Sequence, residues 1–441
     1  MRYRMIWAGS AVVLVLGLLL AAGEAAGPVS AQGTVTPTPF FETNDDPALN
    51  AQMDHVEQAT AILRDLEPLA PVTRAFLTRD ELLGYLTAQL DAEFPPEVAR
   101  DEVIFYHAFG LMDLDVDLRA VQLAVLTEQV GGFYDPDLKA MFVISADDEL
   151  DALNQILYAH EYTHVLQDQH FDLTGLGLDE EHQISEPDAV LALQGLVEGD
   201  AMLMTEGYQR WLMQSNPAAA FDLLREGLFI RTVAFAAAPP IVQYELAFPY
   251  TFGRNFAYTL FVAGDGWSLV NDAYSHPPQS TEHILHPERY VAGDDPIPVS
   301  VVPLDDVLGD DWRPVWDRTL GEFYLREHLR AVIPGETADV AAEGWGGDRY
   351  RVYFNDDTEE TVLVWRTVWD SQADADEFAA AYRGYGALRF DTPGVPTDAD
   401  TVCWYGEETL CLRAGEHESL VILVPDRAMI ADILPLVAPV R

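Results

Sequence analysis

The stretch from Leu157 to His170, LYAHEYTHVLQDQH, holds three histidines and Glu161 inside a segment that otherwise reads as a helix. Within it, His160-Glu161-Tyr162-Thr163-His164 sets two imidazoles four residues apart. On an α-helix such residues stand one turn above each other on the same face. They can close together on one divalent cation, at about 2.0–2.1 Å for Zn2+. The glutamate between them then lies beside the cation and can take a proton from a water there. The alternative is a pair of hydrogen-bonded core histidines. Leu150, Leu153, Ile156 and Leu157 form an apolar helical stripe that both histidines continue, with Ser145 and Asp148 as start signals. Side chains on that stripe point inward, where uncompensated polar groups are costly. A cation answers that cost.

A catalytic zinc site takes three protein ligands and keeps a position open to water. Two residues compete for the third place. His170 follows His164 by six residues, the offset of the metzincin pattern H-E-x-x-H-x-x-G-x-x-H. In that pattern the glycine lets the chain turn the last histidine back, and here its position is Gln167. On a continuous helix His170 lies about 80° from His160 and about 120° from His164, so it misses the cation. The other candidate is Glu198, in LQGLVEGDAMLM. That segment is apolar almost all round, so it is buried, and its carboxylate needs a partner. Gly195 and Gly199 beside it would let this helix approach the histidine helix closely. Asp200 and Glu206 are lesser rivals, and an ion pair with an arginine such as Arg210 is the plain alternative for Glu198.

The elements that must position these groups can be read in outline. Residues 48 to about 66 are helically periodic. FLTRDELLGYLTAQL opens with Thr78 three residues before Glu81, a capping-box signature. LRAVQLAVLTEQVGGFY is a helix that stops at Gly131-Gly132. GFYDPDLKAMFVIS reads as a hairpin turning at Asp135 to Asp137, with a second strand over 140–144. Two helical segments follow, around 188–213 and 218–237. PPQSTEHILHPERY is a loop with a short helix, and GEFYLREHLRAVI is a helix ending at Pro334. From Gly344 the texture changes to alternating strands across Asn355-Asp356-Asp357, a helix capped by Ser371, strands near Val402, Cys411 and Leu420, and a last helix from Asp426. The fold class is therefore α+β. A mainly helical region with a small sheet covers 48–335, and a compact α+β region covers 344–441.

The remaining composition narrows the function. The formal net charge is -48 and Lys139 is the only lysine, which argues against a nucleic-acid partner. Arg2 and Arg4 precede an apolar run from Ile6 to Ala22, and Val29-Ser30-Ala31 resembles a cleavage site. Residues 1–31 are thus expected to be an export signal, or an uncleaved anchor giving the only contact with a membrane. A Pro/Thr/Asp-rich linker is expected over 32–47. Cys403 and Cys411 fall opposite each other if VCWYGEETLCL is a hairpin, so they can form a cross-strand disulfide or remain two free thiols. Trp345, Trp365, Trp369 and Trp404 read as core packing in preference to a ligand surface.

His160-Glu161-x-x-His164 with a glutamate on a later helix resembles the gluzincin metallopeptidases, the thermolysin-like group. HEYTHVLQDQHFDL, LVEGDA, GFYDPD, STEHILHPERY and GWGGDRY are similar to phrases in uncharacterised exported bacterial proteins of this layout. The gluzincin resemblance implies a zincin-like fold over 48–335, His160, His164 and Glu198 as ligands of one Zn2+ per chain, and Glu161 as general base. The expected activity is hydrolysis of a peptide or protein substrate, outside the cytoplasm. By analogy with zincins, the strand over 140–144 is expected to be an edge to which an extended peptide adds. A developing oxyanion wants a further donor. His286 is the first candidate, ahead of His283, Tyr290 and Tyr208, while a role in capping its short helix is the plain reading of His286. The rival function is a non-catalytic zinc-binding protein whose C-terminal region binds a partner or polymer.

Overall fold

The structure is a computed structural model, described here over residues 46–144, 150–177, 185–219, 223 and 233–438. The expected export segment lies outside the described residues, as does nearly all of the expected linker. The linker reading ends slightly late. Asp46 accepts the Ala48 N–H and Pro47 already sits in the first turn of helix α1 (Pro47–Arg64), a position where its missing donor costs nothing. No helix among the described residues is long and apolar enough to cross a membrane.

Strand β1 (Thr73–Phe76) follows α1, and Thr78 and Glu81 then form the expected capping box of α2 (Arg79–Glu93). Helices α3 (Pro96–Ala108) and α4 (Leu118–Gln129) lead to the hairpin of β2 (Gly132–Asp135) and β3 (Ala140–Val143). Asp135 closes its turn by accepting the N–H groups of Asp137 and Leu138. β1 pairs in parallel with β3, so the sheet order is β1-β3-β2. The strand over 140–144 is therefore central and not an edge. β2 is the edge strand on its side.

Helix α5 (Ala152–Phe171) carries the histidine motif. Its cap is Asp151, which accepts the Asn154 N–H. Ser145 and Asp148 lie outside the described residues. The next helix, α6 (Pro187–Ser215), is 29 residues long and carries Glu198. Of the helix expected over 218–237, the described residues are 218–219, Leu223 and 233–237, the last forming α7 (Val233–Ala237).

Helix α8 (Pro240–Ala263) runs along α6. The contact is glycine on glycine. A Cβ on Gly199 would lie 2.9 Å from the Arg254 nitrogen and closer still to the Gly253 carbonyl, and one on Gly253 would strike Gly195. The glycines around Glu198 thus admit α8, not the histidine helix as the sequence suggested. Glu198 itself occupies the α5 side, so the two backbones keep ordinary side-chain spacing there.

Short helices α9 (Ser268–Ala273), α10 (Thr281–Leu285) and α11 (Pro287–Ala292) precede β4 (Arg313–Arg318). Helices α12 (Gly321–Arg330) and α13 (Gly335–Ala342) separate β4 from β5 (Trp345–Asn355) and β6 (Glu360–Trp369). Helix α14 (Gln372–Arg389) is capped by Ser371, as expected. It is followed by β7 (Val395–Pro396), β8 (Thr401–Tyr405), β9 (Thr409–Ala414), β10 (Glu418–Val424) and α15 (Met429–Val437). The sheet order is β4-β5-β6-β10-β9-β8-β7.

This sheet takes its first strand from 313–318, well before the boundary at 344 drawn from sequence. One apolar core also runs from the α3 region into the sheet. Phe105 stacks on Tyr350 at 5.4 Å, and Phe109 meets Trp365 edge-on at 5.6 Å. All four tryptophans named above are fully buried, and Cys403 and Cys411 are paired opposite each other as a disulfide.

Candidate metal centre

His160 and His164 lie on the face of α5 that meets α6, and Glu198 faces them from α6. The two histidines are 0 % exposed, and Glu161 and Glu198 are 2 % exposed. The imidazole rings are 4.9 Å apart and nearly perpendicular. Nε2 of His160 is 3.2 Å, and Nε2 of His164 3.5 Å, from the same Glu198 oxygen, Oε2. All three ligand atoms lie within 4.8 Å of one another, a buried group that could hold a metal ion.

The outer ring nitrogens are engaged elsewhere. Thr205 spends its hydroxyl proton on the Ala201 carbonyl at 2.7 Å, so its oxygen accepts from His160 Nδ1 at 3.2 Å. His164 Nδ1 donates to Gln167 Oε1 at 2.7 Å. Each Nε2 therefore presents a lone pair towards a carboxylate oxygen that is also an acceptor. Three converging acceptors repel one another unless positive charge sits among them, and the donor set of two imidazoles and a carboxylate suits a divalent ion such as Zn2+. The pocket acts differently on the three groups. Burial works against charge on His164, but Glu198 beside it outweighs this and raises its pKa. Burial lowers that of His160. For Glu198, burial is outweighed by the two histidines, which hold its pKa below the usual value.

Glu161 completes the site. Its Oε2 accepts the Tyr134 N–H at 3.2 Å, from the outer side of edge strand β2. Its Oε1 is buried with no hydrogen-bond partner among the described residues, as is Oε1 of Glu198. Burial, then the neighbouring Glu198 charge, pushes the Glu161 pKa well above the carboxylate range. A carboxylate with one oxygen fixed and one open is arranged to receive a proton.

The rivals for third ligand fall away by geometry. His170 Nε2 donates to the Glu67 carbonyl at 2.8 Å on the exposed end of α5. Glu206 pairs with Arg254 at 2.7 Å. Asp200 binds Arg64 at 2.6 Å.

His286 is not brought to the triad. It donates to Glu322 at 2.9 Å, and Glu322 adjoins Asp188, ten residues and about 15 Å along α6 from Glu198. The neighbouring helix α10 is drawn there because Asp188 accepts from Thr281. His283 is saturated by the Asp294 carbonyl and the Gln279 N–H, Tyr290 donates to the His276 carbonyl, and Tyr208 reaches Gln155 at 3.4 Å. Sequence reasoning gave no role to Thr205, Tyr134 or Arg64, and treated Gln167 only as a non-glycine. Gln167 at three residues past His164 was the available signal, since that spacing puts it on the same helix face.

Residues 313–432 match a family described as a domain of unknown function (DUF8575). The match covers the β4-to-α15 region and none of the triad. No curated protein and no solved structure matches the chain.

Proposed function

We propose that this protein is a zinc-dependent peptidase in which His160, His164 and Glu198 hold the metal and Glu161 is the general base. The observation that carries the reading is the convergence of both Nε2 atoms on Glu198 with an open Glu161 oxygen beside them. A Zn2+ bound there would make a water acidic near neutral pH and polarise a carbonyl. Glu161 takes a proton at Oε1 while Tyr134 holds Oε2, and it returns that proton to the leaving nitrogen. Its raised proton affinity suits the second task, because a weaker acid holds the proton until the nitrogen needs it. The outer hydrogen bonds of Thr205 and Gln167 keep both imidazoles oriented throughout.

The ligand group has three members among the described residues, which favours an open catalytic centre over a closed structural one. We place the activity outside the cytoplasm, on the apolar run after Arg4 and the Cys403–Cys411 disulfide. The test is Glu161→Gln in the full chain. Peptide hydrolysis should fall by roughly a hundredfold or more while about one zinc per chain remains bound. Cleavage at the wild-type rate would refute the assignment.

A further inference from the structure

We infer that Arg64, the last residue of α1, is a positioning residue that decides which ring nitrogen of His164 carries the hydrogen, so that a lone pair faces Glu198, acting through Asp200 and Gln167. The inference rests on the metal-site reading above only for its consequence on affinity. Each link is forced by donor and acceptor chemistry. A guanidinium only donates, and Arg64 donates from Nε to Asp200 Oδ1 at 2.6 Å and from Nη2 to Oδ2 at 2.9 Å. Asp200 Oδ2 also accepts from Tyr274 at 2.7 Å and from Gln167 Nε2 at 2.9 Å. The second Gln167 N–H goes to the Val197 carbonyl at 3.0 Å.

Both partners of that amide nitrogen are acceptors only, so the amide has one permitted orientation. Its oxygen must face His164 Nδ1, 2.7 Å away. An amide oxygen cannot donate, so Nδ1 carries a hydrogen, and in the neutral ring Nε2 keeps its lone pair for the triad. A flipped amide would set its oxygen against Asp200 and Val197.

The chain is rigid at its far end. Arg64 stacks on Trp267 at 4.3 Å, its Nη2 reaches Asn271 Oδ1 at 2.6 Å, and Trp267 Nε1 ties to the Leu63 carbonyl at 2.9 Å. Arg64, Asp200, Gln167 and His164 are each 0 % exposed, so water cannot substitute for a lost link. Arg64 also neutralises a second carboxylate two residues from Glu198, which would otherwise compete for positive charge in the same pocket.

The test uses the full chain with 15N-labelled histidine and no metal, at a pH raised until the 15N shifts of His164 report a neutral ring. Long-range 1H–15N spectra read the tautomer of His164, with His160 as internal reference because its partner Thr205 lies outside the chain of bonds. Wild type should show the hydrogen on Nδ1 of His164. In Arg64→Lys and Gln167→Met the His164 signals should shift towards the other tautomer while His160 stays fixed. Zn2+ affinity, measured by chelator competition, should drop by roughly 10- to 100-fold. Should Arg64→Lys fail to fold, Tyr274→Phe removes one partner of Asp200 alone and should give a smaller loss of affinity. A neutral His164 with its hydrogen on Nε2 in wild type, or an unchanged His164 tautomer in a folded Arg64→Lys or in Gln167→Met, overturns the inference. If wild type binds no Zn2+, the peptidase reading falls and the tautomer comparison still decides this one.

Discussion

Two glycines on α6 should respond to alanine with opposite signs. Gly199 faces α8, where a methyl would stand 2.9 Å from the Arg254 nitrogen and nearer still to the Gly253 carbonyl. These obstacles are backbone, so no side chain can rotate aside. Comfortable carbon contacts begin near 3.5 Å, so α8 must retreat by roughly 1.5 Å or α6 must bend. Overpacking of this kind costs about 1–3 kcal/mol, against a helix-propensity gain of about 1 kcal/mol. Gly207, two turns further on, has nothing within 4 Å of its would-be methyl. Only the propensity gain acts there. Gly207→Ala should raise the melting temperature by about 1 °C, and Gly199→Ala should lower it by a similar amount or more. Zn2+ affinity should fall only in Gly199→Ala, because that retreat shifts the turn holding Glu198. Scanning calorimetry and chelator titration on the two variants decide the matter. Equal melting temperatures, or a destabilised Gly207→Ala, would show that the α6–α8 approach is not what these glycines serve.

Glu198→Gln should abolish tight zinc binding, whereas His170→Ala and Glu206→Ala should leave it within about twofold, as read by metal analysis; retention in Glu198→Gln would unseat the third ligand. Burial raises the pKa of Asp348 to about 6, Glu245 to about 7, Asp188 to about 8 and Glu282 to about 9. The folded state thus binds these protons more tightly than the unfolded chain. Their stabilising contribution is complete below about pH 4 and is lost as pH climbs through each folded value, at about 1.4 kcal/mol per pH unit per group. The melting temperature should therefore fall between about pH 5.5 and pH 8.5, and a rise across that range would count against those shifts. The Cys403–Cys411 bridge closes a loop with sequence separation 8, so Cys403→Ser with Cys411→Ser should cost about 2–3 kcal/mol in chemical denaturation. No shift in the midpoint would mean that the β8–β9 hairpin is held without it.

The candidate site was legible because its geometry is local. His160 and His164 are fixed by helical period alone, and Glu198 betrays itself as a charge in an apolar helix. What orients them was not legible. Arg64 is 136 residues from Asp200, and no periodicity links them. Thr205 looks like any helix threonine until its hydroxyl is seen to be committed to Ala201. The C-terminal strands β5, β6, β8, β9 and β10 were readable as short β-branched and aromatic runs between turn residues, although β6 and β10 are buried on both faces. Several elements escaped, β4, α9 and α13 among them, and three show why. β1 is four residues with no turn signal of its own, and it becomes a strand only by lying along β3. α3 follows a Pro-Pro pair that reads as a break, although Pro96 serves as its first residue. α8 contains Pro249 and an aromatic-rich sequence of weak helix preference, and packing against α6 overrides both.

The position of Glu198 depends on more than the elements that touch it. Asp188, in the first turn of α6, accepts from the N–H and hydroxyl of Thr281, whose oxygen in turn accepts the Phe323 N–H at 3.1 Å. Asp348 on β5 takes the N–H groups of Leu320 and Gly321 and the indole N–H of Trp345. The start of α6 is thereby fastened, through α10 and α12, to the strand frame of the C-terminal sheet. An α-helix is stiff along its axis, so a shift at Asp188 is carried about 15 Å to Glu198 with little attenuation. The same sheet shares its core with Phe105 and Phe109, so separating the two regions would expose those rings as well as free the helix. The region from 313 to 432 contains none of the triad, yet the register of Glu198 is set against it.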